Sequence, residues 1–316
     1  EFLFEFMHGC HVFYLTRVPS PAIIAQAFKD VKPAIVIAVP LVIEKIIRKK
    51  VFPQIQNTKV KLLMKMPGVG KKVKKRICEQ VYQAFGGNLY EVIIGGAALN
   101  QEIESFLKDI DFPFTVGYGA TECAPIITYS DWHDFVPMSC GREVVHMEVK
   151  IDSENPETVP GEILARGLNV MLGYYKNDEA TAQTIDKDGW YHTGDLGLMD
   201  KGGNVFIKGR SKNMLLGPNG QNIYPEEIED KLNSMTFAME SVVVQRDGKL
   251  VGLVHPDFDE VLAMGLSRDD LQSLMEENRV QVNANLPVYC KIAAIEIHDE
   301  EFEKTPKKSI KRYLYK

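Results

Sequence analysis

Four short segments of this sequence combine residue types able to bind a nucleotide. Gly95-Gly96-Ala97-Ala98 follows an apolar run, and its lack of side-chain bulk lets a flat ring lie against the backbone. Tyr118-Gly119-Ala120-Thr121-Glu122 joins an aromatic face, a hydroxyl and a carboxylate, groups that stack on a base, bond a phosphate and hold a magnesium ion. In Trp190-Tyr-His-Thr-Gly-Asp195 a carboxylate stands beside what reads as a tight turn, where it can accept two hydroxyls of a ribose. Lys208-Gly209-Arg210 leads into Gly217-Pro-Asn-Gly220-Gln-Asn-Ile-Tyr224, a Gly-rich stretch suited to a hinge or a channel wall. Each segment also has a plainer reading: a strand-to-helix turn, a helix cap, an Asx turn and an exposed linker. No GxxxxGK[ST] or GxGxxG phosphate loop occurs.

The elements that must hold these segments are legible as patterns. Ala34–Val39 and Tyr90–Ile94 are apolar runs that predict buried strands, and Phe112–Val116 predicts a third. Val73, Ile77, Val81 and Phe85 recur every four residues, and Asn100 caps a run in which Ile103, Phe106, Leu107 and Ile110 share a face. Strand, helix, strand, helix predicts an α/β fold, a parallel sheet flanked by helices. Ligands of such sheets sit at the carboxyl ends of the strands, where the first two Gly-rich turns fall. From Val144 onward, short strands (146–151, 161–166 and 204–208) alternate with turns and predict a small antiparallel β-rich subdomain. Beyond Lys212 a third pattern predicts a separate α+β C-terminal domain: a helix from Pro225, a hairpin at Asp247-Gly248, a helix over 267–285 and a strand over 292–297. The expected domains are therefore 1–143, 144–211 and 212–316.

Composition limits the function classes. The 316 residues carry 37 Lys+Arg and 43 Asp+Glu, a net charge of −6, which argues against a nucleic-acid binder. With 45% hydrophobic and 25% charged residues, the chain is not disordered, collagenous or a coiled coil. Five dispersed cysteines fit reduced thiols rather than a disulfide framework, and the run 34–43 is too short to span a bilayer. The opening Glu1-Phe-Leu-Phe has neither a Met nor a basic leader, and reads as a cut from something longer.

In this order and spacing, the motifs resemble the adenylate-forming superfamily, which includes acyl-CoA synthetases, luciferase and peptide-synthetase adenylation domains. The resemblance rests on Gly95-Gly-Ala, Tyr118-Gly-Ala-Thr-Glu, Tyr191-His-Thr-Gly-Asp, Lys208-Gly-Arg, Asn222-Ile-Tyr-Pro-Glu-Glu-Ile-Glu and Thr305-Pro-Lys-Lys-Ser-Ile-Lys-Arg. Gly-Arg-Ser-Lys-Asn and the Arg-Tyr-Leu-Tyr ending are similar to the long-chain fatty-acid CoA ligase branch. The resemblance implies an ATP-dependent ligase that makes acyl-AMP from a fatty acid and passes the acyl group to coenzyme A, with acyl carrier protein as the alternative acceptor. It also implies that Gly95, Gly96 and Ala97 lie on adenine with Tyr118 stacked and Gly119 beside it. Thr121 bonds the α-phosphate, Glu122 holds Mg2+, and Asp195 and Arg210 hold the ribose. Lys212 becomes the hinge, and the loop around Gly220 lines the pantetheine channel. The expected location is cytoplasmic, peripheral to the inner face of a membrane.

Two departures carry expectations of their own. The family's Ser/Thr/Gly-rich phosphate loop is absent, so the chain as it stands is expected not to adenylate. In the closing Thr-Pro-x-Gly-Lys-Ile pattern, Ser309 stands in the lysine position. Lys308 takes over the catalytic role only if this segment is irregular, because neighbouring side chains of a strand point to opposite faces. A catalytically impaired acyl-adenylate binder is the remaining alternative. The basic run Lys71-Lys-Val-Lys-Lys-Arg76 reads either as a membrane contact or as a solvated helix face.

Overall fold

Ile35–Ala38 (β1) and Glu91–Ile94 (β2) pair in parallel, in register from Ile35 opposite Glu91 to Ala38 opposite Ile94. Phe114–Val116 (β3) is the other neighbour of β2. The apolar runs that predicted these strands place Val92, Ile94, Phe114 and Val116 in the interior. The computed structural model describes residues 2–16, 21–55, 62–64, 66, 68–305 and 309–315. It forms two compact units, one of Glu1–Gly95 with Ile103–Thr115 and one of Gly96–Glu102 with Val116–Lys316. The first holds β1, β2, Phe114 and Thr115 of β3, and the helix Val69–Ala84, whose Ile77 and Val81 are buried on one stripe, with Phe85 just beyond its end.

The second unit opens with Tyr118–Gly119 (β4), Ile126–Tyr129 (β5) and Arg142–Glu143 (β6), joined in the order β4-β5-β6. Met147–Asp152 (β7), Gly161–Gly167 (β8), Tyr191–Met199 (β9) and Val205–Arg210 (β10) follow as an antiparallel sheet in the order β10-β9-β8-β7. One expectation is corrected here: the segment holding Asp195 is no tight turn but an inner strand of this sheet. Tyr191, Thr193, Asp195 and Gly197 alternate inward along β9. Gly194, at φ +70°, and Gly197 disguise that period as turn chemistry. Gly197 is required for another reason: a Cβ there would lie 2.9 Å from both Ile163 Cδ1 and the Phe206 carbonyl oxygen.

A short hairpin, Leu215–Leu216 (β11) with Asn222–Ile223 (β12), leads into the helix Pro225–Asn233. Pro at the first position and Glu226 and Glu227 in the first turn suit a helix start. Ala238–Arg246 (β13) and Lys249–Pro256 (β14) form the expected hairpin, with Asp247 and Gly248 at φ +50° and +73° as its two-residue turn requires. The helix Arg268–Ala284 begins with a Ser267–Asp270 capping box, and Ile292–Ile297 (β15) runs parallel to β14. Ile228, Leu232, Val243, Val254, Leu271 and Met275 belong to the core these elements share.

Candidate functional site

Tyr118, buried at the start of the β4–β5 hairpin, donates its hydroxyl to Asp195 Oδ2 at 2.7 Å. Asp195, 7% exposed, receives Arg210 Nε on its other oxygen at 3.0 Å. A bulge brings Arg210 there. Between β10 and β9 the register runs Ile207–Gly197, Gly209–Leu196 and Arg210–Asp195, so Lys208 is the extra residue. Were Lys208 paired in regular register instead of bulged out, Gly209 would face Asp195. Burial pushes the Asp195 carboxyl up, while the Tyr118 hydrogen bond and the Arg210 charge pull it back down. Burial, then the charge of Asp195, raises the Tyr118 phenol, which therefore remains a donor. A carboxylate offers about four acceptor positions, so two bonds leave Asp195 capacity for a diol.

The backbone under Asp195 is tied on both sides. Thr193 Oγ1 accepts from Asp195 N at 3.0 Å and donates to the Ile163 carbonyl at 2.7 Å. Gly194 N donates to Glu162 Oε1 at 2.9 Å, and His192 Nδ1 lies 3.0 Å from Glu162 Oε2.

Thr121 and Glu122 lie on a single 3-10 turn, Thr121–Cys123, where no side chain caps the helix end. The Glu122 carbonyl accepts from Met171 N at 2.7 Å, and Glu122 Oε1 accepts from Tyr174 Oη at 2.9 Å. Asn169 Nδ2 reaches the carbonyls of Cys123 and Ile126, at 2.6 and 3.0 Å. Residues 169–174 therefore fix the turn, a contribution of Asn169 and Tyr174 with no local sequence signal. Among the described residues no cluster of three or more His, Cys, Asp or Glu could hold a metal. Magnesium beside Glu122 would thus depend on phosphate oxygens, the usual arrangement for that ion, so the residue fits it as one ligand.

Gly119 is where close backbone approach is compulsory: a Cβ would lie 2.1 Å from the Pro125 carbonyl oxygen and 3.1 Å from Ile126 Cα. Backbone atoms cannot step aside as a flexible side chain can. Gly119→Ala is therefore expected to destabilise the second unit by about 1–3 kcal/mol, read as a lower urea midpoint with an unchanged slope.

The remaining predicted positions lie on other segments. Gly95 N bonds the Ala38 carbonyl at 3.1 Å, while Gly96, at φ +88°, and Ala97 are exposed. Lys212 is exposed in the turn Ser211–Asn213, whose Ser211 Oγ donates to the Gly194 carbonyl at 3.1 Å and Asn213 Nδ2 to Glu226 Oε1 at 2.7 Å. Gly220 caps the β11–β12 hairpin at φ +79°, its N–H bonded to the Gly217 carbonyl at 2.9 Å. Lys308 lies outside the described residues. Beside it, Thr305 N donates to the Ser309 carbonyl at 2.8 Å and Lys304 bridges to Ile310.

Residues 1–175, more than half of the chain, match the family of AMP-binding enzymes. The rat long-chain-fatty-acid–CoA ligase ACSBG2 is 30% identical over 251 residues, covering 72% of this chain and 36% of that protein. An Escherichia coli long-chain-fatty-acid–CoA ligase is 37% identical over 178 residues, 54% of this chain and 28% of that one. The chain spans about a third of the length of these curated relatives. Among solved structures, Bacillus subtilis o-succinylbenzoate coenzyme A synthetase in complex with AMP superposes with a TM-score of 0.72 at 19% identity, over 99% of this chain and 57% of that one. The fold likeness bears out the expected α/β layout with its small β-rich and α+β parts. By its match across the first half and its agreement in fold, the chain belongs to the AMP-binding enzyme family.

Proposed function

We propose that this chain supplies the nucleotide-holding and mobile C-terminal parts of an ATP-dependent acid–thiol ligase acting on a long-chain fatty acid. The observation that carries this reading is the Tyr118–Asp195–Arg210 arrangement, a buried carboxylate shared between a phenol and a guanidinium. In the first half-reaction the fatty carboxylate oxygen bonds to the α-phosphorus of ATP, and pyrophosphate leaves. In the second, the thiol of coenzyme A bonds to the acyl carbon and AMP leaves. Asp195 and Arg210 hold the ribose, Tyr118 and the exposed Gly96–Ala97 backbone bracket the adenine, and Thr121 donates to the α-phosphate. Glu122 holds magnesium, which supplies charge neutralisation on the phosphates when bound. Preorganised donors of this kind stabilise the charge developing on phosphorus.

The lobes fall at 1–143, 144–211 and 212–316, and the last turns about Lys212 to exchange Lys308 for the Gly220 hairpin. Confining the φ/ψ change to the exposed turn 211–213 leaves both flanking sheets intact. ATP and coenzyme A as co-substrates favour a cytoplasmic location.

The test uses the full-length gene product with ATP, magnesium and palmitate. Pyrophosphate release is expected, followed by palmitoyl thioester once coenzyme A is added, while the 316-residue chain alone releases none. Turnover of aromatic acids but no fatty acid would overturn the substrate class. Thioester formed only on acyl carrier protein would overturn the acceptor. No release with any acid would leave the chain a catalytically impaired acyl-adenylate or acid binder.

A further inference from the structure

The helix Val69–Ala84 carries Lys71, Lys72, Lys74, Lys75 and Arg76 in its first two turns and no acid in the first. That end of a helix bears the positive pole of the backbone dipole, so cations there are disfavoured and acids are the usual choice. The cluster is a local reversal in a chain of net charge −6. Lys74 is ion-paired with Asp109, whereas Lys71, Lys72, Lys75 and Arg76 are exposed. Gly70, Ile77 and Val81 bury the opposite stripe.

An apolar knuckle adjoins the cations. Gly70 N donates to the Met66 carbonyl at 2.8 Å, and a Cβ on Gly70 would lie 2.3 Å from the Met64 carbonyl oxygen, so the backbone of Met64 and Met66 lies against the start of the helix. Four apolar side chains beside it nonetheless face outward: Leu62 is 65% exposed and Met66 45%, with Leu63 and Val69 also open.

We propose that this knuckle and the adjoining basic turns dock on an anionic lipid bilayer. The cations meet phosphate and carboxylate headgroups, and Leu62, Leu63, Met66 and Val69 enter the headgroup–acyl boundary. Charge complementarity selects an anionic partner, and the apolar side chains select a bilayer over a soluble polyanion, which offers them nothing to bury against. None of these residues belongs to the nucleotide motifs, so the proposal does not depend on the ligase reading.

The experiment is co-sedimentation of the chain with vesicles of phosphatidylcholine alone or mixed with phosphatidylserine, at low and high salt. Binding is expected to the mixed vesicles and to weaken as salt screens the surface potential. Each cation contributes about fivefold, so reversing Lys71, Lys72, Lys75 and Arg76 to Glu lowers the partition coefficient at least about a hundredfold. Neutralising the same four to Gln gives a milder variant for the case in which reversal perturbs the helix. Leu62→Ser with Met66→Ser reduces binding at unchanged charge. No binding by the unaltered chain, equal binding to neutral vesicles, or variants that bind as it does would each overturn the proposal. So would a change in the chain's own sedimentation with no vesicles present, which would make this a surface between copies.

Discussion

Asp195→Ala is expected to weaken AMP binding to the chain by about a hundredfold or more in isothermal titration. A ribose diol donates two hydrogen bonds to a charged carboxylate, each contributing about 1.5–3 kcal/mol, and the substitution removes both. It also strips the Tyr118 hydroxyl of its acceptor in the interior, at a cost of about 1–3 kcal/mol in stability. Two further variants separate these effects. Asp195→Asn keeps an acceptor for Tyr118 and is expected to fold normally while still binding AMP weakly. Tyr118→Phe loses the hydroxyl but keeps the ring, so its affinity stays close to that of the unaltered chain. Undiminished AMP affinity in both Asp195 variants would remove this residue from the ribose.

Arg312→Ala is expected to cost about 3–5 kcal/mol of stability in urea unfolding followed by circular dichroism. Arg312 pairs with Glu229, a residue 7% exposed whose other oxygen accepts from Val243 N, and its Nε lies 3.8 Å from Glu226 Oε1. Above about pH 7, where Glu229 is ionised, truncation leaves a buried carboxylate with no counterion, the circumstance in which breaking an ion pair is most expensive. Replacing both partners, Glu229→Gln with Arg312→Met, removes the charge altogether and should recover most of the loss. The pair fastens the end of the chain to the helix Pro225–Asn233. The Tyr315 hydroxyl, accepting from Glu303 N at 2.7 Å, and the Phe302–Tyr315 ring contact tie the same segment back to residues 302–303.

The same carboxyl sets a pH dependence. Burial pushes Glu229 up to about 7 from the usual 4.5, against the opposing pull of Arg312 and the Val243 N–H, while Glu226 adds to the rise. Its folded value lies above its unfolded one, so the associated stability is fully present below about 4.5 and is lost as the pH rises through about 7. Melting temperature should fall across that window in the unaltered chain, and the slope should flatten in Glu229→Gln. An identical slope in both would assign the dependence elsewhere.

Local chemistry told much of this fold in advance, because those signals act over a few residues. Asp247-Gly248 demands positive φ at two successive positions, which is why a two-residue hairpin was readable. Ser267 and Asp270 cap each other across one turn, and the apolar runs at 35–38 and 91–94 have the length and residue types of buried strands. The candidate motifs stood out for the same reason, since each is a contiguous string whose donors and acceptors would suit one part of a nucleotide. What they assemble into was not. Asp195 read as a turn residue because glycines at 194 and 197 interrupt its strand, and only pairing with β8 and β10 reveals the alternation.

The chain by itself therefore determined which segments carry the donors and acceptors proposed for a nucleotide and where much of the helix and strand falls, since propensity, capping and turn geometry are decided between near neighbours. Tertiary structure decided the partnerships. One extra residue at Lys208 sets Arg210 opposite Asp195. Tyr174 holds Glu122 across 52 positions, and Arg312 neutralises Glu229 across 83. Such pairs follow from strand register and from the cost of burying an unpaired charge, and neither leaves a period or a spacing in the linear sequence.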